Sequence, residues 1–323
     1  MIAADKRCRL SAGLGLIAAI LVSTVSLAED LRCHICGAVI PPQAKYFKVK
    51  DSTEVYCERC FATAPRCVVC KLPKAAGELD PESGICQKCL EKLPRCKSCG
   101  RPIVGTAFTY ASTKATYCAE CKNRYPACYI CGAPTGPRYW KYPDGRIVCE
   151  ECGERAVFDI GEIERIMQDA QAIVVKRLGL RLDTPYQLIV EKLQDPRTSG
   201  SEPRGQAALG HSPLYGRELG LYRRTGEKSE IYLLFGLPAE LVYEAAAHEY
   251  AHAWQAENCS PNLSPELREG FAQWVAADVL RTKDFKSALE KLELRSDAPY
   301  GTGYRRLRDL SPRSIFGLLR NGR

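Results

Sequence analysis

Histidine is scarce in this chain: four residues among 323, at positions 34, 211, 248 and 252. A metal-binding array here must therefore draw its ligands from another residue type. Long uncharged runs are scarcer still. Only Leu10 to Leu27 is apolar or small throughout, which excludes a multi-span membrane protein. Nor is the chain short of core material. With 46% apolar and 26% charged residues it is not intrinsically disordered, and its length predicts two domains with room for smaller modules.

The single apolar run reads as an export signal. Lys6, Arg7 and Arg9 form a basic start, and Ser26-Leu27-Ala28 provides small residues before Glu29-Asp30. Residues 1–28 are thus expected to be a signal peptide or, if uncleaved, an N-terminal anchor. The rest would be exported to a periplasmic or extracellular space, with membrane contact only through an uncleaved segment. No cysteine follows the run closely enough to take a lipid.

Cysteine is what the chain has in excess, with 18. Sixteen form eight C-x-x-C pairs between Cys33 and Cys152, alternately 15–20 and six residues apart. This is a four-fold repeat of about 30 residues. Two pairs across each long gap supply four thiolates to one tetrahedral zinc. The sequential grouping is Cys33, Cys36, Cys57 and Cys60; Cys67, Cys70, Cys86 and Cys89; Cys96, Cys99, Cys118 and Cys121; Cys128, Cys131, Cys149 and Cys152. Short hairpin strands are expected at Tyr46-Phe47-Lys48-Val49 and Arg146-Ile147-Val148, and positive φ at the glycines that follow knuckles, including Gly153. His34 is a bystander inside a complete site. A disulfide framework is the rival, since export permits one, but eight identical spacings do not resemble a disulfide scaffold. Redox activity would need a thioredoxin-like βαβ setting, which is absent.

The array also explains the charge. Residues 29–155 hold 20 basic and 14 acidic residues, and residues 156–323 hold 23 of each. Four tetrathiolate zincs of formal charge −2 would turn the front surplus into about −2. The basic residues then balance thiolates, and nucleic acid is disfavoured as a partner.

The back half carries the chemistry. Asp159 to Leu178 has helical periodicity, with Ile163, Ile166, Ala170, Ile173 and Val174 on one face. Tyr186 to Glu191 reads as a strand, and Asp195 to Gly216 as a long loop containing His211, a candidate substrate contact or surface residue. Leu219 to Arg223 and Glu230 to Phe235 read as paired strands, and Gly236 and Pro238 start a helix. That helix contains His248-Glu249-Tyr250-Ala251-His252, an H-E-x-x-H motif. Its i,i+4 spacing turns both imidazoles to one metal, with Glu249 beside them. Glu269, in a second helix opened by Ser264-Pro265-Glu266, is the candidate third ligand, and Glu266 competes for that role. Two His and one Glu leave a coordination position open, the catalytic arrangement of zinc. Asp278 is a candidate buttress for a ligand histidine or a surface acid.

These residues resemble a known family. Leu233-Leu234-Phe235-Gly236-Leu237-Pro238, His248 to Trp254, Ser264 to Gly270 and Pro299-Tyr300-Gly301-Thr302-Gly303-Tyr304 look like the peptidase domain of the DA-one-like proteins. In those plant ubiquitin-activated peptidases a LIM zinc module precedes a gluzincin-type domain. The resemblance covers about residues 180–310. It implies His248, His252 and Glu269 as zinc ligands and Glu249 as the catalytic acid/base. Unlike typical LIM modules, the fingers here contain no ligand histidine and are six residues apart, so two LIM-like pairs and four simple zinc ribbons fit equally well.

The expectation is therefore an export segment over 1–28, a β-rich zinc-finger array over 29–155, and an α+β zincin-like metallopeptidase domain over 156–323. One catalytic and about four structural zinc ions are expected. Glu249 would act as general base on zinc-bound water, with Tyr304 or Tyr300 as oxyanion donor, on a protein or peptide substrate. The fingers would dock substrate, bind a protein partner or regulate access. The alternative is a non-catalytic zinc-finger scaffold with a degenerate peptidase-like domain. Cys259 is expected to be a buried thiol.

Overall fold

The computed structural model describes residues 31–190, apart from 51, 76 and 111, and residues 219–321. The expected export segment and the loop with His211 lie outside the described residues. Two compact units divide the chain. One contains the first two fingers through Cys96, together with Gly100–Ala107; the other contains Lys97–Cys99 and everything from Phe108 onwards. The division falls at the third finger.

Each finger repeats one construction. In the first, strand β1 (Tyr46–Lys48) pairs antiparallel with β2 (Val55–Cys57), and helix α1 (Glu58–Thr63) follows at once. The second finger has an isolated bridge between Leu79 and Cys86, then α2 (Gln87–Leu90). The third has β3 (Ala107–Tyr110), β4 (Ala115–Cys118) and α3 (Ala119–Arg124). The fourth has β5 (Tyr139–Lys141), β6 (Ile147–Cys149) and α4 (Glu150–Glu154). The second C-x-x-C of each unit is the entry to its helix. Its first cysteine is the N-cap and its second sits three residues on, the separation at which a capping side chain meets an N-terminal amide. Accordingly, Cys118 Sγ accepts from the Cys121 amide at 3.4 Å.

The first C-x-x-C closes a tight turn in which an amide returns to the first cysteine's carbonyl: Gly37 to Cys33, Lys71 to Cys67, Gly100 to Cys96 and Gly132 to Cys128, all at 2.8–2.9 Å. The donor residue is left-handed in all four, including Lys71 at φ 63°. An arginine ahead of the knuckle strengthens three of these turns. Arg32, Arg66 and Arg95 donate to the carbonyls of Gly37, Lys71 and Gly100 at 3.4, 2.9 and 3.2 Å, whereas Ala127 occupies that place in the fourth. Gly153 departs from expectation. It lies inside α4, and its missing side chain makes room for the Trp140 ring, which a Cβ would overlap.

The unit of the first two fingers has one buried polar cluster. The Glu54 carboxylate accepts from Tyr56 Oη at 2.6 Å, Lys74 Nζ at 3.3 Å and Lys88 Nζ at 2.5 Å, so one carboxylate of the first finger clasps two lysines of the second. Burial raises the Glu54 pKa, but these donors outweigh it and bring it down to about 2.

In the other unit, β7 (Ala156–Val157) leads into α5 (Ile160–Leu178), capped by Asp159 at its start and by left-handed Gly179 at its end. Strand β8 (Tyr186–Val190) is parallel to β10 (Lys228–Leu233), and β9 (Gly220–Thr225) is antiparallel to β10 at the sheet edge. Strand β11 (Leu237–Pro238) pairs with β7. Helices α6 (Ala239–Asn258), α7 (Pro265–Thr282), α8 (Lys286–Glu293), α9 (Tyr300–Leu307) and α10 (Pro312–Asn321) complete the unit. The core lies where α5 and α7 pack on α6 and α6 packs on the sheet: Ile163, Val174, Ile231, Ala246, Ala247, Ala251, Phe271, Val275 and Val279 are all buried. Small residues along α6 let its neighbours approach closely. Ser264 caps α7 by accepting from the Leu267 amide, with Pro265 in the first turn.

Candidate metal centres

Four cysteine tetrads form, each with its ligand atoms within 4.8 Å of one another, in the sequential grouping expected from the spacing. Across the tetrads the sulfurs of Cys36 and Cys57, Cys70 and Cys86, Cys99 and Cys118, and Cys131 and Cys149 are 3.9–4.0 Å apart. Sulfurs around a tetrahedral zinc with bonds of about 2.3 Å stand about 3.8 Å apart. A disulfide would need about 2.05 Å. No described cysteine is in a disulfide, so the disulfide framework does not form among the described residues.

The local charge also favours a cation. Burial pushes the Cys33 and Cys67 thiols up, but backbone amides donating to their sulfurs bring both down to about 6. Burial and then the neighbouring sulfurs push Cys60 up to about 12. Four thiols this close cannot all ionise unaided, and a divalent ion removes the conflict. The donor set, spacing and electrostatics are those of structural zinc sites in LIM-like fingers. His34 takes no part. Its ring meets Tyr56 edge-on, and its Nε2 lies 3.4 Å from Glu78 Oε1.

A fifth cluster is built from helices. His248 and His252 lie one turn apart on α6, and Glu269 projects from α7. His248 Nε2 and His252 Nε2 are 3.0 Å apart, and each is 3.3 Å from Glu269 Oε2. Three donor atoms at the corners of a triangle with sides near 3.3 Å are what bonds of about 2.0–2.1 Å to a common tetrahedral ion require. Burial pulls His248 down to about 4 despite the Glu269 carboxylate, so this imidazole is neutral at ordinary pH. Burial also opposes charge on His252, but Glu269 outweighs it and raises that pKa. The two imidazoles hold Glu269 far below the usual carboxylate range despite its burial.

Two glutamines stand behind the histidines, and sequence reasoning missed both. Gln255 Nε2 donates to the Arg268 carbonyl at 3.1 Å, which leaves Gln255 Oε1 facing His252 Nδ1 at 2.8 Å. His252 therefore carries its proton on Nδ1 and presents an Nε2 lone pair to the centre. Gln273 Nε2 lies 3.3 Å from His248 Nδ1, and Gln273 Oε1 is buried without a hydrogen-bond partner among the described residues. With its amide ends exchanged, Gln273 would accept from His248 Nδ1 and give His248 the same tautomer. The donor set thus fits a bound cation. A signal was present: Gln255 follows His252 by three residues and Gln273 follows Glu269 by four, the spacings of one helix face.

The other expected residues divide. Glu249 is buried beside the cluster, its charge is felt at His252, and its side chain lies against Gly220 of β9, where a Cβ would come within 2.7 Å of Glu249 Cγ. Tyr304 does not join the cluster; its hydroxyl donates to Glu293 Oε1 at 3.2 Å. Tyr300 lies nearer, its ring centroid 6.0 Å from that of His248 and the Arg295 guanidinium 4.7 Å from its own. The glycines around these tyrosines serve packing and not mobility. A Cβ on Gly303 would overlap the Glu266 carbonyl oxygen, and one on Gly270 would overlap the Gly303 backbone, so α9 is seated directly on α7 next to Glu269. Glu266 sits in the first turn of α7 and is not in the cluster. Asp278 is no buttress, because it binds Arg177 of α5 through both oxygens at 2.7 and 2.9 Å. Cys259 is half-buried and not the buried thiol expected, although burial still pushes its thiol up to about 11.

Comparison with known proteins bears on this helical region. A family model described as "DA1-like: Protein DA1" matches residues 216–298, which include His248, Glu249, His252 and Glu269. Protein DA1-related 2 of Arabidopsis thaliana is 30% identical over 174 residues, covering 44% of this chain and 33% of that protein. The LIM domain-containing protein HDR3 of Oryza sativa subsp. japonica is 26% identical over 174 residues, covering 44% and 34%. Protein DA1 of Arabidopsis thaliana is 27% identical over 165 residues, covering 43% and 31%. The chain spans about a third of the length of the curated relatives it matches. No solved structure matches it significantly.

Proposed function

We propose that this chain is a zinc-dependent peptidase acting on a protein or peptide substrate, with the finger array as its docking or regulatory part. Export, read from residues 1–28, belongs to the same proposal. The supporting observation is the triangle of His248, His252 and Glu269 with a glutamine behind each histidine. Three protein ligands and a free position distinguish it from the closed tetrads.

Zinc held there would act as a Lewis acid, acidifying water and polarising a carbonyl oxygen. Glu249 takes the proton from the attacking water and returns it to the departing amine, so the carboxylate begins and ends the cycle unprotonated. Gly220 keeps space for that carboxylate under β9. Among the described residues β9 pairs only with β10, so its outer edge can add an extended peptide as a further strand. Tyr300, whose ring lies beside that of His248, would donate to the oxygen that gains charge, whereas Tyr304 is engaged by Glu293. The Gln255 amide holds His252 in its ligand tautomer, and Gln273 would do the same for His248 with its amide oxygen turned to Nδ1.

The test is cleavage of a proteome-derived peptide library by the wild-type chain and by Glu249→Gln, with metal content measured on both. The expected result is cleavage by the wild type and a fall of about 10³–10⁴-fold in the variant at unchanged metal content. Equal turnover in both, or none in a fully metallated wild type, would leave the scaffold reading in its place.

A further inference from the structure

The fourth finger is joined to the helical region by contacts that converge on one short segment, Phe235 to Pro238, directly ahead of α6. Arg146, buried at the foot of β6, donates from Nε to Asp144 Oδ2 and from Nη2 to the Phe235 carbonyl, both at 2.6 Å. Its guanidinium lies 4.8 Å from the Tyr142 ring centroid. Tyr142 Oη donates to the Gly236 carbonyl at 3.3 Å. Phe158 packs between Tyr142 and Phe235, with centroids 5.5 and 5.2 Å away. The Gly236 amide donates to the Val157 carbonyl at 3.1 Å, and β11 pairs with β7. Arg155 reaches Glu240 in the first turn of α6 at 3.0 Å. Gly236 has φ 71°, and a Cβ there would approach Tyr142 Cε2 to 2.8 Å, so the fit leaves no space for a side chain.

These contacts matter because α6 begins without a cap of its own. Its N-cap is Pro238, whose side chain accepts no hydrogen bond. What anchors its start is the finger, through two carbonyls, a strand pair and an ion pair. His248 stands ten residues further on, about 15 Å along a rigid helix. Its partner Glu269 stands on a different helix, so a tilt of α6 would break the triangle. The hairpin bearing Tyr142 and Arg146 ends in Cys149, a member of the fourth tetrad, and a finger this small depends on metal for its fold.

We infer that the fourth tetrad is a positioning centre for α6 and that Arg146 is the positioning residue through which it acts. The cysteine array then serves two purposes. The fourth finger belongs to the helical unit and sets its active-site helix, while the first two form a separate unit. The catalytic consequence rests on the peptidase reading; the positioning itself does not.

The experiment uses the full chain loaded with cobalt, whose thiolate sites and nitrogen/oxygen site absorb differently. It also measures amide hydrogen exchange over residues 239–258. Cys149→Ser is compared with Cys57→Ser, which removes the equivalent hairpin-end ligand from the first tetrad. Cys149→Ser is expected to speed exchange in α6 and to shift or erase the band of the His/His/Glu centre, and Cys57→Ser to do neither. Should Cys149→Ser not fold, Arg146→Met decides. It is expected to keep all four thiolate bands, to speed exchange in the first two turns of α6 about tenfold, and to weaken metal at the helical centre about tenfold. Arg146→Lys, which can still donate to the Phe235 carbonyl, should recover part of both. Wild-type exchange and metal affinity in Arg146→Met, or equal disturbance by Cys57→Ser and Cys149→Ser, would overturn the inference. If the wild type shows only thiolate bands, the peptidase reading fails, and exchange in α6 still decides the positioning.

Discussion

The thiolate tetrads and the His/His/Glu cluster are two ways of bringing together donors that could hold a cation. A tetrad is assembled within about 30 residues from a tight turn and a helix N-terminus, with all four donors supplied by the chain. The helical cluster takes two donors from one helix and a third from the next, and a glutamine stands beside Nδ1 of each histidine. The first arrangement is closed and local, suited to stapling a small fold. The second is open and depends on the packing of α6, α7 and α9, which suits a site where a substrate must enter.

The largest expected effect breaks this contrast directly. His252→Ala should abolish peptide turnover with four metals still bound, whereas Cys36→Ser should empty only the first finger and leave small-peptide turnover intact. Parallel loss in both would show that the two regions do not act separately. Next comes Tyr300→Phe, expected to lower kcat about 100-fold with KM and metal content unchanged. Tyr304→Phe, which loses the bond to Glu293 outside the cluster, should leave kcat as it is. A fall in kcat for Tyr304→Phe alone would reverse the assignment.

Gln255→Leu sharpens the comparison on the helical side. It should weaken metal binding there by about 10–100-fold in a chelator competition and leave the tetrads unchanged. On the finger side, Glu54→Gln leaves Lys74 buried without its carboxylate and should cost the first unit about 3 kcal/mol at neutral pH. Because the folded Glu54 pKa, at about 2, lies below its ordinary 4.5, the stabilisation is full above that ordinary value. It fades as pH falls towards 2, so the wild-type advantage in thermal unfolding should narrow in the same interval. A constant difference across that range would mean the carboxylate charge is not its source.

Much of this organisation was legible in the sequence, for reasons that differ by region. Sixteen cysteines at repeated spacing define four tetrads because each ligand set is nearly contiguous. Asp159, Ser264 and Pro265 mark helix starts because capping is local chemistry. The i,i+4 histidines could be placed on one face from spacing alone. What spacing could not convey is long-range. The choice of Tyr300 over Tyr304 depends on α9 lying against α7 through Gly303 and Gly270, glycines that read as flexible until their neighbours are known. Asp278 turned to Arg177 from a helix about 100 residues earlier. Arg146 read as part of a hairpin strand, although its guanidinium spans from that hairpin to the Phe235 carbonyl. The Glu54 clasp joins two fingers whose separation by sequence gives no hint of contact.

The most direct measurement is the number of zinc ions per chain by native mass spectrometry, on the wild type and on Glu269→Gln. Five in the wild type and four in the variant are expected, the lost ion being the one between α6 and α7. Four in both would mean that the helices hold no metal and that the fingers alone account for the chain's zinc.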